Sequence, residues 1–199
     1  MIDVPEILDL HAATVERWHR EPVDNPYEGF LHAVCQQHQF NFLLWHEEDI
    51  ARSPNVGDAK IAAVKRAIDR YNQQRNDWIE QLDLWLMVEL KRRGVAPQAE
   101  ARLNTETPGS AIDRLSILSL RIYHLDEQAA REDATAQHRQ TAADKVATCR
   151  TQRVDLSTSL AELVDDVAGG RKQMKTYRQL KMYNDPAMNP YLYAAKKVA

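Results

Sequence analysis

The chain has 199 residues, a length that suits one domain of ordinary size. Hydrophobic residues make up 44% of it and charged residues 28%, which excludes a disordered, collagen-like or disulfide-stapled protein. The formal net charge of −3 hides an asymmetry. The tail from Arg171 onward carries about +6 and the rest of the chain about −9, so an acidic body is joined to a basic tail.

Helix start and stop signals, together with the scarcity of glycine and proline, predict five helices and no strand. The predicted helices span about residues 3–21, 26–52, 58–93, 110–131 and 134–168. The tail is expected to hold one short helix before Asn184 and to end irregularly through Pro190. The sequence therefore predicts an all-α fold, an elongated antiparallel helical bundle over residues 1–170. A basic tail over residues 171–199 is expected to pack on the body or on a partner chain.

Apolar residues recur at helical spacing along the second, third and fifth helices, and polar residues interrupt each series near its middle. Arg75 interrupts the third helix, Arg153 the fifth, and His38 and Asn41 the second. Packing long helices side by side in antiparallel order would bring these midpoints to one level. We therefore expect His38, Asn41, Arg75 and Arg153 to share a polar layer.

This layer has two interpretations. As a structural network it fixes the helix register, with the arginines paired to carboxylates such as Asp49 or Asp126. As a ligand site it binds an anion, for example phosphate or a carboxylate. For Arg75 we expect the structural role, so that Arg75→Met would destabilise the fold by about 3 to 5 kcal/mol. We expect Asp49, Arg52 and Asp113 to contact any ligand.

Three segments, 41–52, 72–77 and 112–118, are the densest in polar residues on an apolar background. Asparagine and aspartate are poor helix formers, so something other than helix propensity is expected to keep them at mid-helix. The candidate ligand-binding residues are His38, Asn41, His46, Glu48, Asp49, Arg52, Asn72, Arg75, Asn76, Asp113, Arg114 and His124.

Two histidines have a carboxylate that would orient them as general bases. His46 is paired with Asp49 in this interpretation, and His124 with Asp113. A histidine at such a position more often has a structural role, and no catalytic residue can be assigned.

Templates for metal binding and catalysis mostly fail. One Glu-x-x-His pattern occurs, from Glu16 to His19, whereas a helical di-metal site uses such a pattern from each of two helices. Cys35 and His38 have no second pair of ligands that would complete a zinc set, and we expect Cys35 and Cys149 to be small core residues. The sequence has no Walker loop, Rossmann fingerprint or nucleophile elbow. We therefore expect neither a metal nor a cofactor.

Three motifs resemble a bacterial family of domains of unknown function, number 4254. They are Asn-Phe-x-Leu-Trp-His-x-Glu-Asp-x-Ala-Arg at 41–52, Asn-Gln-x-Arg-Asn-Asp at 72–77 and Pro-Gly-x-x-Ile-Asp-Arg-Leu-Ser-Ile-Leu at 108–118. The resemblance covers about residues 5–185. It implies a cytoplasmic all-α protein, often encoded beside glycosyltransferases of cell-envelope polysaccharide assembly, with no established activity. The family tends to have Glu where this chain has Ser110, so a catalytic Glu would be missing here, whereas a helix-capping role suits Ser well.

Two functions are compatible with these features. The first is a helical protein that binds or acts on a phosphorylated sugar or nucleotide-sugar in cell-envelope polysaccharide synthesis. The second is a non-catalytic interaction module that homo-oligomerises or docks onto a glycosyltransferase. Nucleic-acid binding ranks third, because a basic tail on an acidic body more often folds back on itself. The first residues lack a signal-peptide pattern and no long apolar run occurs, so we expect a cytoplasmic protein.

Overall fold

The computed structural model describes residues 2–178, 180, 182 and 185–195. Within these residues the chain forms six helices and two very short strands, and the predicted all-α class is confirmed. The elements in chain order are α1 (Val4–Trp18), α2 (Gly29–Ala51), α3 (Asp58–Arg92), β1 (Arg102–Leu103), α4 (Pro108–Ala130), α5 (Ala136–Ala168), β2 (Lys172–Gln173) and α6 (Pro190–Ala195).

The helices pack as two hairpins, α2 with α3 and α4 with α5, and α1 lies across them. Helix α4 contacts each of the other four long helices, so it forms the centre of the bundle. The buried apolar residues of α1, α2 and α4 form the largest core cluster, with Leu82, Leu160 and Val164 contributed by α3 and α5. Both cysteines are buried and free, as predicted for small core residues.

Three helix starts differ from the prediction. Helix α5 begins at Ala136 rather than near residue 134, because Thr135 is its N-cap and accepts a hydrogen bond from the His138 backbone N–H. Helix α2 begins at Gly29, three residues later than expected, because Asn25 holds the preceding segment: its side chain accepts from the Tyr27 backbone N–H and donates to the His32 carbonyl. Helix α4 begins at Pro108, two residues early. Its N-cap is Thr107, whose hydroxyl accepts a hydrogen bond from the Ser110 backbone N–H at 3.2 Å.

The start of α4 is held against α3 by a close approach at Gly109. A Cβ atom at this position would lie 2.6 Å from the Ile79 carbonyl oxygen and 2.9 Å from Asp83 Oδ1. The Gly109 backbone N–H donates to the buried Asp83 carboxylate at 2.8 Å. Glycine is therefore required here by space, and its contact with α3 sets the position of the following α4 residues.

A small parallel strand pair, which the sequence did not indicate, joins β1 to β2 in the register Arg102↔Lys172 and Leu103↔Gln173. The predicted helix before Asn184 falls partly on residues outside the described ones. Helix α6 lies where an irregular end was predicted, because Asn189 caps the Tyr191 backbone N–H and Pro190 suits the first helical position. None of the described helices is both long and apolar enough to span a membrane.

Candidate functional site

A cleft of about 430 Å³ lies between α2, α3 and α4. It is lined by Asn41, Leu44, Trp45, Glu48, Asp49, Arg52, Asn72, Arg75, Ile117 and Leu120. All three polar segments meet here, because α2 supplies residues from 41–52, α3 from 72–77, and the first turns of α4 supply Ile117. The size falls within the range of small-molecule sites.

Arg75 is one of the two arginines that line this cleft, and its guanidinium is only partly satisfied. Its Nε atom lies 3.9 Å from Asp113 Oδ1, and Nη2 donates to Asn76 Oδ1 at 3.4 Å. Nε is buried and makes no hydrogen bond among the described residues. With 27% of the side chain exposed, the group retains donors for a ligand in the cleft.

Asp113 anchors a polar network behind the cleft. Its Oδ1 atom accepts hydrogen bonds from Gln37 Nε2 at 2.6 Å and Asn41 Nδ2 at 2.9 Å. Ser116 is linked to Asn41 Nδ2 at 2.9 Å and to His38 Nδ1 at 2.6 Å. Burial raises the pKa of Asp113, while Arg75 and the amide donors oppose that rise. The network joins α2 to α4 and places Asn41 at the edge of the cleft.

The expected polar layer therefore exists in part, but without Arg153. Helix α5 packs on the opposite side of α4 and reaches α3 through Leu163 and Val167, near its C-terminal end. Arg153 is partly exposed and makes no hydrogen bond or ion pair with any described residue. Asp126 pairs with Arg150 at 2.9 Å, so the carboxylate beside Arg75 is Asp113.

The outer wall of the cleft combines charge with an aromatic ring. Glu48 and Arg52 form an ion pair at 2.9 Å, and Asp49 is exposed beside them. Trp45 lines the cleft and also stacks on His124, with ring centroids 4.9 Å apart and planes 9° from parallel. The lining thus offers cations, carboxylates, amides and an apolar surface together.

Three histidines from separate helices meet next to this wall. One ring nitrogen from each of His19, His46 and His124 lies within 4.8 Å of those of the other two. His19 is the C-cap residue of α1, whereas His46 and His124 lie on α2 and α4. Burial and the two neighbouring histidines lower the pKa of His46. These are the described residues best placed to hold a metal ion.

Other predicted residues lie apart from the cleft. Asn76 is buried beside Arg75, while His38 is fully buried and its ring lies 4.5 Å from that of His11. Arg114 points to the other side of α4, where it pairs with Glu106 at 2.6 Å in a second groove between α4 and α5. This second groove is larger, about 640 Å³, but only Arg114 of the predicted residues lines it.

The expected histidine–carboxylate pairs also differ. His124 Nδ1 lies 2.9 Å from Glu127 Oε2, one helical turn away, and Asp113 lies three turns away on the same helix. His46 makes no hydrogen bond to Asp49 among those the structure shows, although the Asp49 charge opposes the lowering of its pKa. The general-base pairing of His124 with Asp113 is therefore wrong.

A family model for proteins of unknown function, DUF4254, matches residues 31–176 of the chain. The chain belongs to the DUF4254 family. No curated protein and no solved structure gives a significant match. The match includes all three motifs that line or support the cleft.

In this DUF4254 chain, Ser110 is the third residue of α4 and its hydroxyl lies 3.0 Å from that of the N-cap Thr107. A Glu at this position would complete a capping box, in which Thr at the N-cap and Glu three residues later each bond to the other's backbone N–H. Ser110 does not line the cleft. Ser110 therefore acts at the start of the helix and not in the cleft.

Sequence reasoning missed two residues of this DUF4254 site. Gln37 is buried and bonds Asp113, but it follows an apolar stretch with nothing to distinguish it from a surface glutamine. His19 appeared only within the Glu-x-x-His pattern, and Glu16 of that pattern pairs with Arg20 at 2.9 Å. The sequence shows that several helices carry histidines, but it does not show that three of these histidines lie close together.

Proposed function

We propose that the cleft binds a small molecule that carries both an anionic group and hydroxyls, such as a phosphorylated sugar or nucleotide-sugar used in cell-envelope polysaccharide synthesis in the cytoplasm. The observation that carries this proposal is the convergence of three family motifs on one cleft, around an arginine whose donors are partly unused. Buried donors of this kind are normally satisfied, so a ligand is a natural partner for Arg75.

The mixed lining favours a sugar phosphate over a bare anion. Arg52 and Arg75 suit phosphate oxygens, to which guanidinium groups donate bidentate hydrogen bonds. Glu48 and Asp49 would repel a bare anion, but they accept hydrogen bonds from sugar hydroxyls. Trp45 supplies an apolar surface next to these polar groups. A ligand with one phosphate and several hydroxyls would satisfy all of them.

A thermal-shift screen tests the proposal, with inorganic phosphate, a hexose 1-phosphate and UDP-hexoses as probes. We expect the sugar-containing probes to raise the melting temperature of the wild type and not of Arg75→Met, since a ligand stabilises the state that binds it. Arg114→Met is the matched control, because this motif arginine lies on the other side of α4 and should keep the shift. A shift lost in Arg114→Met and kept in Arg75→Met would place the ligand in the groove between α4 and α5.

A second candidate, an interaction module, is favoured by the apolar surface of the tail. Tyr191 is 88% exposed and Leu180 is 85% exposed, and both lie beyond the ion pairs of Arg171 with Asp165 and Asp166. Large apolar side chains left exposed in this part of the chain favour contact with a partner or with a second copy of the chain. Removing residues 171–199 should then lower the oligomeric state in sedimentation. An unchanged sedimentation profile and melting temperature would argue against a role of the tail in assembly.

A further inference from the structure

We propose that His19, His46 and His124 form a binding site for a divalent transition-metal ion, with zinc as the preferred ion. This inference is independent of the ligand proposed for the cleft, because none of the three histidines lines that cleft. The ring nitrogens of the three residues come together within 4.8 Å, although the residues are far apart in the sequence. The sequence predicted no metal, and the proposal made here from the geometry of the three histidines is the opposite.

The hydrogen bonds of two rings determine which nitrogen is left to bind a metal. His19 Nδ1 lies 2.6 Å from the Val15 carbonyl oxygen, which can only accept, so Nδ1 carries the proton. His124 Nδ1 donates in the same way to the Glu127 carboxylate at 2.9 Å. In a neutral ring the other nitrogen, Nε2, then presents its lone pair. Both rings are held in the tautomer that a metal ligand needs.

The Nε2 atoms of all three histidines are buried and make no hydrogen bond with any described residue. Buried polar atoms are nearly always hydrogen-bonded, and three unpaired ring nitrogens on different helices are an exception that needs a cause. Packing of the rings alone leaves these lone pairs unsatisfied. A cation between them would satisfy all three at once.

The surroundings resemble the outer shell of a metal site. Glu127 bonds the far side of the His124 ring, an arrangement that orients a ligating imidazole and raises its basicity. The Val15 carbonyl does the same for His19. Tyr123 stacks on His19 at 4.2 Å between ring centroids, and Phe42 meets the rings of His19 and His46 edge to face. These rings limit the movement of the ligands.

The ligand chemistry decides the class of ion. Imidazole nitrogen suits zinc, copper, nickel and iron, whereas magnesium and calcium prefer oxygen ligands. Tetrahedral zinc with Zn–N bonds of about 2.0 to 2.1 Å would place the nitrogens about 3.3 Å apart. The structure already brings them within 4.8 Å of one another. Three protein nitrogens leave one position open for water or another ligand, as in zinc sites that take part in catalysis.

Zinc binding to the full chain, with any affinity tag removed and after dialysis against a chelator, tests this site. We expect one zinc per chain with a Kd below about 1 µM in a competition titration with a chromogenic chelator. Cobalt(II) should give the visible absorption bands of a tetrahedral site. His46→Ala should weaken zinc binding by at least about 100-fold, whereas His138→Ala, at an exposed histidine of α5, should bind like the wild type.

Two further variants separate metal binding from folding and from the cleft. Glu127 is about half exposed, so Glu127→Ala should fold normally and still weaken zinc binding by about 10- to 100-fold through the loss of the His124 hydrogen bond. Arg75→Met should leave zinc binding unchanged even if it abolishes ligand binding in the cleft. The proposal is overturned if the wild type takes up no stoichiometric zinc, or if folded His46→Ala and Glu127→Ala bind zinc as the wild type does.

Discussion

Arg75 Nε and Asp113 Oδ1 lie 3.9 Å apart, close enough for attraction between their charges but too far for a hydrogen bond. Asp113 directs its hydrogen bonds to Gln37 and Asn41 instead. The two members of this pair therefore contribute unequally to the stability of the fold. The fold relies on Asp113, whereas Arg75 is held mainly by charge and remains available to a ligand.

This inequality predicts different costs for the two truncations. Arg75→Met should lower the free energy of unfolding by about 1 kcal/mol or less, because a partly exposed pair without a direct hydrogen bond contributes little. Asp113→Ala should lower it by about 2 to 4 kcal/mol, since it leaves the buried amide donors without their acceptor and the guanidinium without the nearby negative charge. Urea unfolding at pH 7.5 measures both. A loss of 3 kcal/mol or more for Arg75→Met would restore the purely structural interpretation of this arginine.

Gly109→Ala should destabilise the protein by about 1 to 3 kcal/mol, because the added Cβ would meet the Ile79 carbonyl oxygen of a neighbouring helix. Gly57→Ala is the matched control. Its Cβ would meet nothing within 4 Å, and its φ of −76° suits any residue. Comparing the melting temperatures of the two variants checks the effect, and equal losses would show that the approach of α4 to α3 is not tight.

Ser110→Glu should raise the free energy of unfolding by about 0.5 to 1 kcal/mol. The new carboxylate would complete the capping box with Thr107 and lie at the positive end of the α4 dipole. Zinc uptake and any ligand-induced thermal shift should stay as in the wild type, because Ser110 lines neither site. A change in ligand binding with no gain in stability would indicate a functional role for this position.

The stability of the protein should fall as the pH drops below about 6.5, partly through His11. Burial lowers the pKa of His11 to about 3, so between about pH 6.5 and pH 3 the unfolded chain binds a proton that the folded chain excludes. The buried His38, whose ring faces His11, shifts in the same direction. The pKa values of Asp83 and Asp113 are raised, so these two groups have the opposite effect on stability. Near pH 4 the folded chain takes up their protons before the unfolded chain does, which stabilises the folded state.

His11→Leu isolates this contribution. At pH 7.5 the variant should be at least as stable as the wild type, because both ring nitrogens of His11 are buried without a hydrogen bond to any described residue. Between pH 7.5 and pH 5.5 the variant should lose about 1.4 kcal/mol less than the wild type. Denaturant unfolding at the two pH values measures the difference. Identical losses would mean that His11 does not remain neutral in the folded protein.

Much of the fold was predictable because helix periodicity is a local property. The apolar spacing along α3 and α5 agrees with the burial of residues such as Val64, Leu82 and Leu160. The predicted spans also match the start of α1, whose N-cap is Asp3, and the end of α5 at Ala168. The start of α2 and helix α6 were predicted wrongly. Both depend on hydrogen bonds between an asparagine side chain and the backbone, made by Asn25 and Asn189. Such bonds shift where a helix begins, and the positions of the prolines alone do not show them.

The site was less accessible to such reasoning, because periodicity shows which side of a helix is buried but not which helix covers it. Arg153 lies at helical spacing between the buried Cys149 and Leu160, yet it is partly exposed, and α4 separates the middle of α5 from the other polar residues. His19 ends a short helix and carries no periodic signal of its own. Its meeting with His46 and His124 depends on how α1 crosses the two hairpins, which only the three-dimensional packing determines.

The stacking of Trp45 on His124 makes this indole an optical reporter. One ring lines the cleft and packs on a histidine of the trio, so its emission senses the polarity of the cleft and the state of the histidine together. Replacing Trp18, Trp78 and Trp85 by phenylalanine would leave Trp45 as the single tryptophan. A sugar phosphate in the cleft and a quenching ion such as copper(II) among the histidines would then change the same signal in different ways. Sequential titrations would show whether a ligand bound at one site changes the affinity of the other site.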